Sequence, residues 1–243
     1  MFVTARNQVM ESLMTVPEPA VSALSATLFW LDYAAAALFG ASGAIAAARA
    51  RQDIITFIFF AAITGVGGGT LRDLLIGAPV FWVQRPDYIL ICALTGLAVW
   101  VLAPRNPSPR PDGKPGKRMT ALLWLDAMGM AAYAVVGAAK ALNLGVAPLS
   151  AVVMGVLTAS FGGIIRDVLA GEPNLLLRRE IYITAALLGA AVFVALSLIG
   201  LSFWPAGLSG FAAALALRGA AIHWSLGLPA FGIRDHDDRN KFS

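Results

Sequence analysis

Apolar residues gather in seven runs, at roughly 28–49, 54–76, 86–103, 120–142, 147–170, 180–200 and 203–223. Each run is near the ~20 residues that a helix needs to cross the hydrocarbon core of a bilayer. The pattern predicts an all-α membrane protein with seven transmembrane helices. The only long polar connection between runs, residues 104–119, reads PRNPSPRPDGKPGKRM. Its prolines and basic residues cannot bury a core, so it is expected to be a flexible tether. Polar tails at 1–27 and 224–243 flank the spans.

The two sides of the tether repeat one another. GGGTLRDLLIGAP at 67–79 returns as FGGIIRDVLAGEP at 161–173. An insertion-free offset of 94 residues carries Arg72 onto Arg166, and also superimposes Asp32 on Asp126, Gly43 on Gly137, Thr64 on Thr158 and Gly77 on Gly171. Residues 28–103 and 120–200 are therefore two copies of a three-helix unit, with a seventh helix at 201–223 outside the duplication. Three spans separate matching residues, and an odd number of crossings reverses the second copy. The expected architecture is an inverted repeat of three plus three helices, a design that brings matching helices together near the bilayer midplane, where ions or substrates pass. The seventh helix is expected to serve packing or oligomerisation rather than the site.

Composition narrows the class. The chain is 58% hydrophobic and 13% charged, with a mean hydropathy of +0.75. An average soluble domain has roughly 25% charged residues. One cysteine, Cys92, and two histidines, His223 and His236, provide neither a disulfide framework nor a zinc site, so no cofactor or metal is expected. The N-terminal residues lack the pattern of a cleaved signal peptide, leaving the first span to direct insertion. The formal charge of +4 reflects topology rather than nucleic-acid binding, because the basic residues lie between apolar runs. Arg49, Arg51, the basic tether, Arg178, Arg179, Arg234, Arg239 and Lys241 fall on one face; Arg6, Arg85 and Lys140 fall on the other. The N-terminus is expected outside and the C-terminus in the cytosol.

The candidate site is the repeated motif. Gly67, Gly68 and Gly69 in the second span, and Gly162 and Gly163 in the fifth, read as kinks that bare carbonyls toward an aqueous path; close helix packing is the alternative. Arg72 and Arg166 must face protein or water, because a charge at the bilayer centre costs at least ~2.5–3.5 kcal/mol. Neighbours on a helix point about 100° apart, so each arginine is expected to reach another helix rather than the adjacent Asp73 or Asp167. Two roles are open to the pairs: structural salt bridges, or the lining of two vestibules on opposite sides of the midplane. Asp32 and Asp126 suit either N-caps or pore lining. Thr64, Thr158 and Ser160 have hydroxyls that either replace ion hydration or, more commonly, satisfy backbone carbonyls. Lys140 matches Ala46 in the first copy and is expected to snorkel to the outer interface, with voltage sensing as the alternative.

Seven spans, an inverted repeat, GGGxxRD in the second span and GGxxRD in the fifth together resemble the prokaryotic TRIC (trimeric intracellular cation) channel homologues, over about residues 28–223. The resemblance implies a homotrimer in a bacterial plasma membrane, with one pore per protomer formed by the first six helices and narrowed at the glycines of helices 2 and 5. It implies permeation of monovalent cations, potassium chiefly and sodium secondarily. Phe161 departs from the glycine triplet, which implies a milder break in the fifth span. The rival reading is a secondary transporter of a small solute such as an amino acid, whose carboxylate a cavity-facing arginine would bind. An enzyme is not indicated, since no metal cluster and no nucleophile with its base appear.

Overall fold

The computed structural model describes residues 18–103, 116–172, 181–224 and 226–227, with side chains from residue 30 onward. Most of the tether, Arg178, Arg179, His236 and most of both tails lie outside the described residues. The described residues form α1 (Glu18–Arg49), α2 (Ile54–Ile76), a short α3 (Phe81–Gln84), α4 (Asp87–Leu102), α5 (Lys117–Asn143), α6 (Pro148–Ala170), α7 (Ile183–Leu198) and α8 (Phe203–Trp224). Every expected span has its helix, and α3 is an unforeseen turn of helix between the second and third spans.

Five of these helices, counting α1 from Trp30, are long and apolar enough to cross a membrane. The repeat-related α4 and α7 have 16 residues each, about 24 Å at the α-helical rise. Large apolar side chains such as Leu74, Leu90, Leu94, Val101, Leu149 and Leu208 point outward, whereas the interior holds alanines and a set of charged residues that includes Arg72 and Arg166. That inversion of the soluble pattern fits a chain whose solvent is lipid.

Helix ends follow the repeat. Gly77 and Gly171 both take left-handed φ, +72° and +64°, just past the ends of α2 and α6. After each glycine the next amide reaches back to an aspartate carbonyl, Ala78 to Asp73 at 2.9 Å and Glu172 to Asp167 at 3.1 Å. This is the Schellman closure, and it explains why both glycines are present. Asp32 and Asp126, by contrast, are not caps: α1 and α5 begin at Glu18 and Lys117, so both aspartates lie inside continuous helices. The N-cap of α2 is Asp53, whose carboxylate accepts the Thr56 amide at 2.9 Å.

Within each repeat the three helices pack together. Between repeats α1 packs on α5 and α2 on α6, while α8 lies against α7 and α5. The α2–α6 contact is reciprocal. A methyl group added to Gly68 would fall 2.0 Å from the Thr158 carbonyl oxygen, and one added to Gly162 would fall 2.4 Å from that of Thr64. As the α2 partner moves from residue 64 to 68, its α6 partner moves back from 162 to 158, so the helices cross in opposite directions. The expected inversion of the second repeat is thus written into its central contact. Around it, Gly43 admits the Thr64 hydroxyl and Gly137 that of Thr158, while Phe39 stacks on its repeat-mate Tyr133 at 5.4 Å.

Of the two expected uses of the motif's glycines, close packing is seen at the helix crossing. Both α2 and α6 remain helical through the motif, and Gly68 and Gly162 serve close approach of two backbones. The tightest contact of a methyl at Gly67 would be the flexible tip of Ile165, at 3.0 Å, with the Gly162 backbone at an ordinary 3.8 Å, so its column demands glycine less strictly and in the second repeat holds Phe161.

Gly68→Ala and Gly162→Ala are each expected to destabilise the detergent-solubilised protein by about 1–3 kcal/mol or more in thermal unfolding, because the obstructing atom is backbone. Gly207→Ala, whose nearest neighbours would stand at an ordinary 3.6 Å, is expected not to lower the midpoint. The Thr56 amide bond holds the Asp53 carboxyl below its ordinary range, so its contribution is present at neutral pH and lost as pH falls through the lowered value. Asp53→Ala should therefore unfold earlier than wild type at pH 7, and the two midpoints should converge in acid.

Candidate functional site: two buried arginine clusters

Four residues beyond each crossing glycine, α2 carries Arg72 and α6 carries Arg166. Since the helices run oppositely, the two arginines stand on opposite sides of the crossing. Both are fully buried, at 0% exposure. Each bonds its own neighbour, Arg72 Nε to Asp73 and Arg166 Nε to Asp167, both at 2.8 Å. The expectation that adjacent residues diverge too far to pair is wrong: a long guanidinium arm curls back across the 100° between their Cβ directions. The second expectation, contact with another helix, is met by hydrogen bonds for Arg166, whereas Arg72 reaches only the Phe81 ring of α3 among the described residues. Its Nη1 bonds Asp126 of α5 at 2.5 Å and the Ser42 hydroxyl of α1 at 3.0 Å.

The first cluster is built differently. The Asp73 carboxylate also accepts the Phe81 amide at 3.0 Å and Lys140 Nζ, from α5, at 2.9 Å. Lys140 therefore does not snorkel away; it joins the two repeats. The Phe81 ring lies 5.8 Å from the Arg72 guanidinium and 5.7 Å from the Lys140 ammonium, within cation–π range. Asp32 accepts the Tyr88 hydroxyl at 3.0 Å. Its Oδ1, and both Nη atoms of Arg72, are buried without a hydrogen-bond partner among the described residues. Formally the cluster balances two carboxylates, Asp32 and Asp73, against Arg72 and Lys140. The repulsion that a bare arginine would exert on cations is thereby offset.

The third glycine column makes room for these clusters. A methyl at Gly69 would meet the Phe81 ring at 2.6 Å, and one at Gly163 would stand 3.3 Å from both an Asp126 oxygen and the Tyr182 hydroxyl. Thr158 and Ser160 donate to carbonyls one turn back, Met154 at 2.6 Å and Val156 at 2.8 Å, the commoner use of such hydroxyls. Thr64 Oγ1 makes no such bond among the described residues.

Sequence reasoning passed over Tyr88 and Tyr182, although the offset of 94 pairs them and would have found them. It also missed Ser42, Phe81 and Arg218. The last is buried on α8 with its guanidinium 5.0 Å from the Tyr182 ring, so the seventh helix does reach the second cluster. No group of three or more metal-ligating side chains occurs among the described residues.

Removing a partner from a buried ion pair leaves the other charge stranded. Asp126→Asn should cost about 3–5 kcal/mol of stability. Asp32→Asn leaves Arg72 on Asp73 and exchanges only the Tyr88 bond, at about 0.5–1.5 kcal/mol. Thermal unfolding of both variants in detergent checks the ordering.

Comparison with known proteins agrees with this architecture. A family model described as "Glycine transporter" matches residues 29–104 and again 123–197, one match per repeat. The UPF0126 inner membrane protein YadS of Escherichia coli is 38% identical over 211 residues, covering 86% of this chain and 98% of that protein. Among solved structures, the TRIC trimeric intracellular cation channel orthologue from Rhodobacter sphaeroides is similar at 47% identity, with a TM-score of 0.76 over 82% of this chain and 99% of that one. A second structure, described in terms of conductance through TRIC cation channels, is 31% identical with a TM-score of 0.69, over 84% of this chain and 97% of that one. The duplicated helices, the Gly-Arg-Asp motif and the shared fold make this chain a member of the prokaryotic TRIC cation channel family, a family of channels and not of enzymes.

Proposed function

We propose that this protein is a homotrimeric monovalent cation channel of a bacterial inner membrane, selective chiefly for potassium, with one pathway in each protomer. The pathway follows the α2–α6 crossing, where Thr64 and Thr158 lie, and is narrowed there. Asp32, Arg72, Asp73 and Lys140 line one vestibule; Asp126, Arg166, Asp167 and Ser160 belong to the other. The supporting observation is that charge is placed on both sides of a tight central crossing, with each arginine neutralised by its adjacent aspartate. The trimer and the cation rest on likeness to the Rhodobacter sphaeroides channel, and the membrane on likeness to the Escherichia coli protein. The N-terminus lies outside, and the tether at 104–119 and the C-terminal tail are cytoplasmic.

A carrier of a small amino acid is the second reading. It is favoured by the description of the matched family model and by the buried Nη atoms of Arg72 and Oδ1 of Asp32, which have no hydrogen-bond partner among the described residues. Those groups would suit the carboxylate and ammonium ends of glycine.

Recording from the purified protein in a planar bilayer under asymmetric KCl separates the two. Discrete current steps reversing near the potassium equilibrium potential are expected. Silence from folded protein, together with saturable glycine uptake into liposomes, would replace the channel with the carrier.

A further inference from the structure

The two arginine clusters descend from one sequence but are in opposite states. In the second, Arg166 is latched onto Asp126 at 2.5 Å, and the Tyr182 hydroxyl, which also lies against Asp126, donates to the Ala159 carbonyl at 3.3 Å. In the first, the equivalent Tyr88 hydroxyl donates to Asp32, the equivalent of Asp126, while Arg72 keeps only Asp73 among the described residues. The carbonyl equivalent to that of Ala159 is Gly65, and it is already taken: Tyr133 donates its hydroxyl to Gly65 at 2.8 Å. The residue equivalent to Tyr133 is Phe39, which stacks on Tyr133 and has no hydroxyl to offer. One oxygen atom, present on Tyr133 and missing from Phe39, distinguishes the two stacked rings. It occupies one acceptor position of the Gly65 carbonyl, the equivalent of the carbonyl that Tyr182 uses, while Tyr88 is bonded to Asp32.

We infer that Tyr133 and Tyr88 are positioning residues that hold the Arg72–Asp32 latch open, and that without the Tyr133 hydroxyl this vestibule closes into the arrangement seen at Arg166 and Asp126. The groups needed for closure are in place. Arg72 is fully buried with two Nη atoms, and Asp32 with an Oδ1, that have no hydrogen-bond partner among the described residues. The other charged groups around them, Asp73 and Lys140, are already paired with each other. Closing the latch withdraws the Asp32 carboxylate from the vestibule and places a guanidinium across it.

The test is Tyr133→Phe, which removes one hydroxyl and leaves the ring stack intact, with Tyr88→Phe as an independent second variant. In the structure of either variant, an Arg72 nitrogen should lie within salt-bridge distance of Asp32; in Tyr133→Phe, Tyr88 should donate to Gly65. Resting on the channel reading, potassium current per protein should fall about fivefold, the shift that one net hydrogen bond produces. The double variant should fall no further, because both changes act through Asp32. A Tyr133→Phe structure with Tyr88 still on Asp32 and Arg72 away from it would overturn the inference. A closed latch with unchanged current would uphold the latch and remove it from the pathway. If wild-type protein carries no current, the channel reading fails, and the Arg72–Asp32 distance still decides the latch.

Discussion

The approach of α2 to α6 at Gly68 and Gly162 is the constraint from which the rest follows. Two helical backbones meet so closely that a methyl group on either glycine would overlap a carbonyl oxygen of the other helix. Small residues permit such contact, and in lipid, where no hydrophobic force drives helices together, packing of this kind holds them. The reciprocity of the contact, glycine of each helix against threonine of the other, is what two inverted copies must produce at their axis. Once it is fixed, residues four positions further on are carried to opposite sides, and a single motif supplies two buried charged clusters.

The motif's arginines and aspartates are buried at a depth where an isolated charge is costly, and each is compensated locally. Compensation differs between the sides because the surroundings have diverged. Arg166 finds Ser42 and Asp126; on the other side the column of Ser42 holds Val136, which offers no hydroxyl, and Lys140 enters where the second cluster has Ala46. An inverted repeat therefore yields symmetric backbone geometry with asymmetric chemistry. The membership in the cation channel family and the neutralised arginines fit together: an uncompensated guanidinium in either vestibule would oppose cation entry.

Much of this was legible in the sequence, because the strongest signals were periodic. Apolar run lengths located the helices, and the offset of 94 exposed the duplication, its inversion and the central motif. What escaped were features that depend on three-dimensional reach. Helix starts were misplaced, since α1 and α5 begin with polar or basic residues that hydropathy excludes, and this turned the interior residues Asp32 and Asp126 into apparent caps. The glycine cluster reads either as a break or as a contact surface, because a glycine's sequence signature is the same in both cases, and the contact emerges only from the geometry at Gly68 and Gly162. The Arg72–Asp73 bond was ruled out from Cβ directions alone, which ignores the length of arginine. Lys140 was sent to the interface because its partner, Asp73, lies 67 residues away on another helix. Tyr88 and Tyr182 are paired by the offset of 94, but a tyrosine in an apolar run has the signature of a core or interface ring, and its role emerges only from the carboxylate beside it.

The account is tested most directly by cysteine accessibility at the crossing during conduction. Thr64→Cys and Thr158→Cys would be placed singly in a Cys92→Ala background and exposed to a small cationic thiosulfonate from either side of a planar bilayer while potassium current is recorded. Block of the current in both variants, with none in the parent, is the result a pathway along the α2–α6 crossing requires. Undiminished current in both, from either side, would place the ion route elsewhere in the protein.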